Sequence, residues 1–144
     1  MDLNKLRHVL RQNHLSMTSS RKLVFEILKQ NQPLTIANIV KKTDGRVNRA
    51  SIYRCVKLFE NLQIVQRINI GWKYKIELTD LFNDHHHHAH CLECGQILTF
   101  PASLQLENQI VAIAQNINFK LVGHQIELTG ICAECIVKKE VIIS

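Results

Sequence analysis

The fold of the first half of the chain is decided by one stretch, Arg46 to Leu78, which reads RVNRASIYRCVKLFENLQIVQRINIGWKYKIEL. Asn48 or Ser51 can cap a helix here, because a short polar side chain accepts a hydrogen bond from a free amide at a helix start. The apolar residues of that helix repeat at helical spacing: Ile52, Val56, Phe59 and Leu62. Two strand-like segments, IVQRINI and WKYKIEL, then flank Gly71. The stretch therefore predicts a helix followed by a β-hairpin.

Three further helices are predicted upstream of this stretch. The first runs from about Asp2 to Asn13, with its apolar residues on one face. Thr18 or Ser19 can cap the second helix, and Thr35 can cap the third, IANIVKK. Short helices followed by a hairpin describe a winged helix-turn-helix domain. A helical subdomain that binds another protein is the alternative.

In a winged helix-turn-helix domain, the last helix before the hairpin is the recognition helix. Its predicted buried stripe leaves five residues for solvent, DNA or neighbouring elements: Arg49, Ser51, Tyr53, Arg54 and Lys57. Arginine and lysine contact phosphates or guanine edges, and a tyrosine ring packs on a thymine methyl. Cys55 has no neighbouring cysteine, and is more typical of a small buried residue than of a redox sensor.

Charge is distributed unevenly along the 144 residues. Residues 1–80 carry 15 Lys and Arg against 6 Asp and Glu, a net +9, whereas residues 81–144 carry 3 against 6, a net −3. This asymmetry predicts two domains, 1–80 and 81–144, with different partners. The basic domain suits a polyanion such as nucleic acid. A solvated basic surface is the plain alternative.

The composition, 46% hydrophobic and 21% charged, indicates a globular protein. No apolar run approaches the roughly 20 residues of a membrane span. The N-terminal segment MDLNKLRHVLRQNHL lacks the apolar centre of a signal peptide. We therefore expect a cytoplasmic protein, in which paired cysteines indicate a metal site rather than disulfides.

Two C-x-x-C pairs, CLEC and CAEC, stand 37 residues apart and give the strongest chemical signal. Two such turns complete a tetrahedral four-sulfur shell, which selects zinc and leaves no open position for a substrate. The predicted ligands of this structural zinc are Cys91, Cys94, Cys132 and Cys135. The spacer predicts a small α/β unit, with a strand at QILTF, a helix at SLQLENQIVAIAQN, and strands at FKLVGH and QIELTGI. Two redox dithiols are the alternative.

A run of histidines, DHHHHAHC, leads into the first cysteine pair. In an extended strand, alternate side chains point to opposite faces. Such a strand would separate the imidazoles into two sets: His86, His88 and His90 on one face, His85 and His87 on the other. One strand could therefore supply two separate metal sites.

Together these motifs resemble those of the Fur (ferric uptake regulator) family of metal-dependent transcriptional repressors. The family's T-x-x-R helix start appears as TSSR, Thr18 to Arg21, and its recognition-helix signature as RASIYRCVKLFENLQIV. Its His-rich strand appears as HHHHAHCLECG, and its closing cysteine pair as CAEC. The resemblance covers nearly the whole chain and adds Arg21 to the predicted DNA contacts.

The resemblance implies an α+β protein: an N-terminal winged helix-turn-helix domain, then a small α/β dimerisation domain with the four-cysteine zinc site. It implies a homodimer on an inverted-repeat operator in double-stranded DNA. His86 and His88 match the sensory metal site at the hinge between the domains, with Glu77 as its carboxylate and Asp80 as the competitor. An additional site is implied on four other residues: His85, His87, Glu107 and His124.

Two departures from the family pattern bear on the sensed metal. Iron- and peroxide-sensing members usually carry an acidic residue where this chain has Thr99, and many supply a histidine where it has Pro33. A sensory site poor in oxygen ligands suits zinc better than iron(II) or manganese, which favours the zinc-sensing, Zur-like branch over a peroxide sensor. That branch usually offers a sensory cysteine, which His90 or an acid of DLFND would have to replace. Iron(II) sensing is the alternative, and nickel is chemically allowed.

We therefore expect a metal-responsive repressor of metal uptake or homeostasis genes, with structural zinc and a second, regulatory divalent ion. A zinc enzyme is disfavoured, because the chain has no H-E-x-x-H arrangement and no evident general base beside an open site. A metal-buffering protein that uses its helical domain for protein contacts is a third interpretation.

Overall fold

The computed structural model describes residues 2–30, 33–70 and 72–143, with side chains described as far as residue 138. The chain divides into two compact units, Met1–Asp84 and His85–Ser144. The first unit contains α1 (Asp2–Gln12), α2 (Ser19–Lys29), α3 (Ile36–Lys42), α4 (Arg49–Asn61), β1 (Val65–Ile70) and β2 (Lys73–Leu78). The second contains β3 (His86–Cys91), β4 (Ile97–Pro101), α5 (Leu104–Asn116), β5 (Glu127–Gly130) and α6 (Ala133–Ile143). Within the described ranges, no helix is both long and apolar enough to cross a membrane.

This architecture confirms the predicted fold class, a winged helix-turn-helix domain followed by a small α/β domain. Capping side chains fix where the helices of the first unit begin. The side chains of Thr18 and Asn48 each accept a hydrogen bond from the amide three residues later, at 3.2 and 2.8 Å, so neither Ser19 nor Ser51 is the cap. Thr35 begins α3 with a reciprocal capping box.

One apolar core holds the first unit together. Its largest fully buried hydrophobic side chains come from α1 to α4 and from the hairpin: Leu6, Leu10, Val24, Phe25, Ile39, Ile52, Phe59, Ile64, Ile76 and Leu78. Leu62, which was predicted to complete the buried stripe of α4, lies just beyond the helix and is only partly buried. Cys55 occupies the buried face instead. The opposite face of α4 therefore remains exposed.

The hairpin of the first unit is antiparallel, with Val65 opposite Leu78 at its base and Ile70 opposite Lys73 near its tip. The predicted turn residue, Gly71, lies outside the described residues. A further pairing, which no sequence pattern indicated, joins the backbones of Leu34 and Ile76, with N···O distances of 2.9 and 2.7 Å. This pairing connects the segment before α3 to the hairpin.

The second unit is built on a three-stranded sheet in the order β4-β3-β5. β3 runs antiparallel to β4 and parallel to β5, and α5 connects β4 with the segment that leads to β5. The prediction of a strand at FKLVGH was wrong, since residues 119–124 have no regular structure. Within the described residues the sheet consists of β4, β3 and β5, and this segment instead carries His124 to Glu107 on α5, at 3.0 Å. α6, for which no element was predicted, begins between the last two cysteines.

Hydrophobic burial differs between the two units. Among the described residues of the second unit, the buried core cluster consists of Cys91, Cys132 and Cys135. Large apolar side chains of this unit are exposed along the sheet, α5 and the following segment: Leu98, Leu104, Val111, Ile113, Ile117, Phe119, Val122, Leu128 and Ile131. A single copy of this unit therefore buries little apolar surface of its own.

Phe59→Ala is expected to destabilise the first unit by about 3–5 kcal/mol, because the ring is 0% exposed and its removal leaves a cavity in a packed core. Urea unfolding followed by far-UV circular dichroism measures the change. Gln12→Ala is the control: this side chain is exposed at the end of α1 in the same unit, and the expected change is within about 0.5 kcal/mol. Equal stability of Phe59→Ala and the unsubstituted chain would contradict the assigned core.

Candidate metal centres and recognition helix

Four cysteine sulfurs meet at one point of the second unit. Cys91 ends β3, Cys94 lies in the turn that follows, Cys132 precedes α6 and Cys135 lies in its first turn. The four sulfurs all lie within 4.8 Å of one another, and Cys94 Sγ stands 3.7 Å from Cys132 Sγ. A disulfide would need about 2.05 Å, whereas two sulfurs of a tetrahedral zinc shell are about 3.8 Å apart. The residues present thus fit a zinc ion.

Backbone geometry around the first cysteine pair prepares this arrangement. Gly95 has φ +71°, a left-handed conformation that glycine adopts without strain, and its amide donates to the carbonyl of Cys91 at 2.9 Å. The amide of Cys91 in turn donates to the carbonyl of Gln96, also at 2.9 Å. The glycine of C-x-x-C-G therefore closes the turn that brings Cys94 back beside Cys91.

The thiols of this cluster influence one another's ionisation. Amide donation from Cys132, at 3.3 Å, together with that of Cys94, lowers the pKa of Cys91 to about 6. The hydrogen bond with the Cys132 thiol, together with burial, raises the pKa of Cys135 to about 12. Several thiolates this close repel one another, and a divalent cation relieves that repulsion. The cluster therefore has both the concentrated negative charge and the sulfur spacing of a metal site.

The histidines of β3, together with His85 directly before it, lie in two groups. The rings of His86 and His88 have centroids 4.8 Å apart, and those of His85 and His87 have centroids 4.9 Å apart. His90 takes part in neither pair, and its Nε2 lies 3.4 Å from the hydroxyl of Thr129 on β5. A single strand thus presents two separate pairs of imidazoles.

The pair formed by His85 and His87 belongs to a larger cluster with Glu107 and His124. Glu107 Oε1 lies 2.9 Å from His87 Nε2 and 3.6 Å from His85 Nε2, and Glu107 Oε2 lies 3.0 Å from His124 Nε2. The two imidazole nitrogens of His85 and His124 are 3.2 Å apart. Nitrogen and oxygen ligands of tetrahedral zinc are about 3.3 Å apart, so this donor set also fits a metal ion.

Local structure brings these four ligands together. Ser103 caps α5 and thereby starts the helix whose first turn carries Glu107. Asn118, at φ +53°, ends that helix, and the irregular segment that follows carries His124 back to β3. Burial pushes the pKa of Glu107 upward, but its hydrogen bond with His87 and the nearby imidazoles outweigh burial and lower it. The carboxylate is therefore held ionised beside the three imidazoles.

The predicted sensory residues are described within their own units. Glu77, on β2, is 5% exposed and accepts a hydrogen bond from Gln66 Nε2 at 2.7 Å, whereas Asp80 is exposed. In the second unit, Thr99 lies directly opposite His88 across β3 and β4. An acidic residue at this position would stand beside the imidazole of His88, and threonine supplies no charged oxygen there.

The predicted DNA-contacting residues lie on α4 and at the start of α2. Arg49, Tyr53, Arg54 and Lys57 are exposed on α4, and Ser51 is half-buried beneath Arg54, which donates to its hydroxyl at 3.2 Å. Arg21 is also half-buried, and its guanidinium donates to the carbonyl of Ser16. α4 thus presents a basic face with a tyrosine among the cations.

Cys55 lies on the inner face of α4. Burial raises the pKa of its thiol to about 12, despite the opposing effect of Arg21. A protonated, buried thiol is a poor nucleophile. This environment suits a packing residue and not a redox sensor.

Comparison with known proteins gives four matches. The sequence model of the ferric uptake regulator family matches residues 12–129. The ferric uptake regulation protein of Campylobacter jejuni is 31% identical over 140 residues, which cover 92% of this chain and 87% of that protein. The solved structure of the Helicobacter pylori ferric uptake regulator, described as having three functional metal binding sites, matches with a TM-score of 0.76 and 24% identity, covering 93% of this chain and 91% of the other. That of the Vibrio cholerae ferric uptake regulator matches with a TM-score of 0.70 and 26% identity, covering 88% and 98%.

Cys132→Ser is expected to release one equivalent of zinc per chain, since three sulfurs no longer close the tetrahedral shell. Zinc content by mass spectrometry and thiols titrated with a chromogenic disulfide measure the loss. Cys55→Ser is the matched control, because its sulfur lies in α4 outside the cluster, and it is expected to keep all of its zinc. A Cys132→Ser protein with unchanged zinc content would contradict the four-sulfur site.

His87→Ala is expected to remove a second, separate metal equivalent and to leave the four-sulfur site filled. The ring of His87 is 1% exposed and lies 2.9 Å from Glu107, so the substitution removes one of the four proposed ligands of this site. Competition with a colorimetric chelator measures both affinities. His90→Ala is the matched control on the same strand, and if both substitutions weaken this site equally, the ligand set assigned here is wrong.

Proposed function

The chain belongs to the ferric uptake regulator family, and from that premise we propose that it is a transcriptional repressor that binds inverted-repeat DNA as a homodimer and senses zinc. Metal-responsive regulation and DNA binding follow from the family. What we propose beyond the family is the identity of the sensed metal, the inverted repeat in the DNA and the ligands of each metal ion. The observation that supports this proposal is the combination of a basic recognition helix in the first unit with clustered metal-ligating side chains in the second unit.

The proposed DNA contacts are the exposed residues of α4 and the arginine of α2: Arg21, Arg49, Ser51, Tyr53, Arg54 and Lys57. The buried face of α4 packs into the core of the first unit, so the helix presents its polar face on a rigid support. A hydrogen bond between Arg49 and Tyr53, at 3.4 Å, aligns two of these side chains. Binding through such cations is expected to weaken steeply with salt.

Structural zinc is assigned to Cys91, Cys94, Cys132 and Cys135. The support is the shared position of their sulfurs, with the 3.7 Å separation that suits tetrahedral zinc. Zinc bound there supplies a cross-link and no open coordination position. His85, His87, Glu107 and His124 are assigned to an additional site on the same physical grounds.

The regulatory ion is assigned to His86 and His88 with Glu77. Glu77 is a buried carboxylate of the first unit, and a buried carboxylate is stabilised by a cation. Thr99, opposite His88, removes an oxygen donor that iron(II) would favour, and this is the argument for zinc. Ligands drawn from both units would make the arrangement of the units, and hence DNA binding, respond to the metal. His90 and Asp80 stay the alternative donors.

The homodimer is assigned to the second unit. Its exposed apolar residues include Leu98 and Leu128 on the two outer strands of the sheet. A large exposed apolar surface on a small unit is typical of a protein–protein interface. A homodimer suits the two half-sites of an inverted repeat.

Iron(II) sensing is the second candidate. It is favoured by the name of the Campylobacter jejuni relative, a ferric uptake regulation protein at 31% identity. The donor set argues for zinc, and the similarity to this relative argues for iron. The two candidates differ in one measurable quantity, the free concentration of each metal at which DNA affinity rises.

Binding of fluorescein-labelled inverted-repeat DNA, followed by anisotropy in buffered zinc(II), iron(II) or nickel(II), tests this function. We expect zinc to tighten binding by about 100-fold, which corresponds to about 2.7 kcal/mol of coupling. His86→Ala is expected to abolish the response. His8→Ala, an exposed histidine of α1, is the matched control and is expected to keep it.

The outcomes separate the alternatives. A response to iron(II) alone would overturn the zinc assignment but keep the regulator. An unchanged DNA affinity in all three metals would overturn the regulator and favour a metal-buffering protein.

A further inference from the structure

The hairpin tip carries an aromatic residue that belongs neither to the metal-ligand clusters nor to α4. Trp72 is the only tryptophan of the chain and is 89% exposed. The ammonium group of Lys73 lies 4.6 Å from the centroid of its ring, so a cation accompanies the indole. An exposed indole with a neighbouring cation offers an apolar face, one N–H donor and a positive charge at a single point.

Basic residues outnumber acidic ones on the surrounding hairpin. Residues 65–78, VQRINIGWKYKIEL, contain Arg67, Lys73 and Lys75 against one acidic residue, Glu77, which is buried. An anionic partner is therefore favoured over a neutral or cationic one. This charge distinguishes the tip from the exposed apolar residues of the second unit, where acidic residues outnumber basic ones.

Side-chain contacts anchor the hairpin to the recognition helix. Arg67, on β1, binds both carboxylate oxygens of Glu60 on α4, one of them at 2.9 Å, and its guanidinium stacks 4.3 Å from the ring of Tyr74 on β2. Bidentate pairing of this kind fixes orientation as well as distance. The tip is thus held at a set position relative to the exposed residues of α4.

A groove of about 550 Å³ lies between α4 and the hairpin. Its walls include Tyr53, Arg54 and Lys57 from the helix, and Arg67 and Tyr74 from the hairpin. Three of the residues proposed above to contact DNA therefore line a groove whose other wall is the hairpin. The hairpin therefore stands beside the face of α4 that is proposed to contact DNA.

We propose that Trp72 contacts DNA. Its indole packs against a deoxyribose just beyond the segment of DNA that α4 contacts, and Lys73 pairs with an adjacent phosphate. This inference rests on the proposed function and adds a second point of attachment to it. The contact is with the backbone, so it contributes affinity and orientation but no base readout. A second copy of the chain is the competing occupant, and the experiment below separates the two.

The absence of any other tryptophan from the sequence makes the test direct. Acrylamide quenching of the fluorescence of Trp72 is measured on the full metal-loaded chain, with and without the inverted-repeat DNA. DNA binding itself is followed independently by the anisotropy of fluorescein on the DNA. We expect the quenching constant to fall severalfold at saturating DNA, because the strand covers the indole.

Variants of the tip give a second readout. Trp72→Ala is expected to weaken DNA binding by about tenfold, from the loss of one aromatic contact, while the dependence of affinity on salt stays unchanged. Lys73→Gln is expected to lower the slope of log affinity against log salt by about one, because one phosphate contact is lost. Trp72→Phe keeps an aromatic ring and is expected to lie between Trp72→Ala and the unsubstituted chain.

Three results would overturn the inference. If anisotropy reports DNA binding but the quenching constant of Trp72 does not change, the tip does not touch DNA, and the proposed function stands. If the indole becomes protected on raising the protein concentration without DNA, the tip is a contact between copies of the chain. If anisotropy reports no binding with any metal, the proposed function falls and this inference falls with it.

Discussion

The meeting of four cysteine sulfurs is the constraint on which the second unit depends. The unit buries few apolar side chains within the described residues, and its buried core cluster consists of Cys91, Cys132 and Cys135. Units of this size need a cross-link, a metal or a partner to offset the loss of chain entropy. A metal held by these sulfurs would tie the end of β3 to the start of α6, and thereby the beginning of the unit to its end. The exposed apolar residues of the sheet and α5 form the surface that we propose for contact with another copy, which would be a second source of stability.

The first unit offsets the loss of chain entropy with an apolar core of its own and without a metal. Phe25, Phe59 and the aliphatic residues around them form a closed core, so α4 can leave a whole polar face in solvent. The Glu60–Arg67 pair then fixes the hairpin relative to that face. The rigid support of α4 lies in the first unit and the four-sulfur cluster in the second, and the net charge of the chain changes sign between them.

Local patterns in the sequence predicted most of this architecture, because they act over a few residues. The caps at Thr18, Thr35 and Asn48 and the two C-x-x-C turns belong to this group. Features that depend on contacts between residues distant in the sequence were either not predicted or predicted wrongly. The strand expected at residues 119–124 is absent, and this segment instead carries His124 to Glu107 on α5, a contact between residues distant in the sequence. The Glu60–Arg67–Tyr74 contacts join residues that become neighbours only when the hairpin folds back on α4.

Metal and DNA are proposed to bind to one coupled system. The decisive measurement is the affinity of the full chain for zinc, obtained by competition with a chelator with and without saturating inverted-repeat DNA. Linkage requires that DNA tighten zinc binding by the same factor by which zinc tightens DNA binding. DNA is expected to raise the zinc affinity of the regulatory site by about 100-fold and to leave that of the four-sulfur site unchanged. Equal zinc affinities at the regulatory site with and without DNA would contradict the proposed coupling.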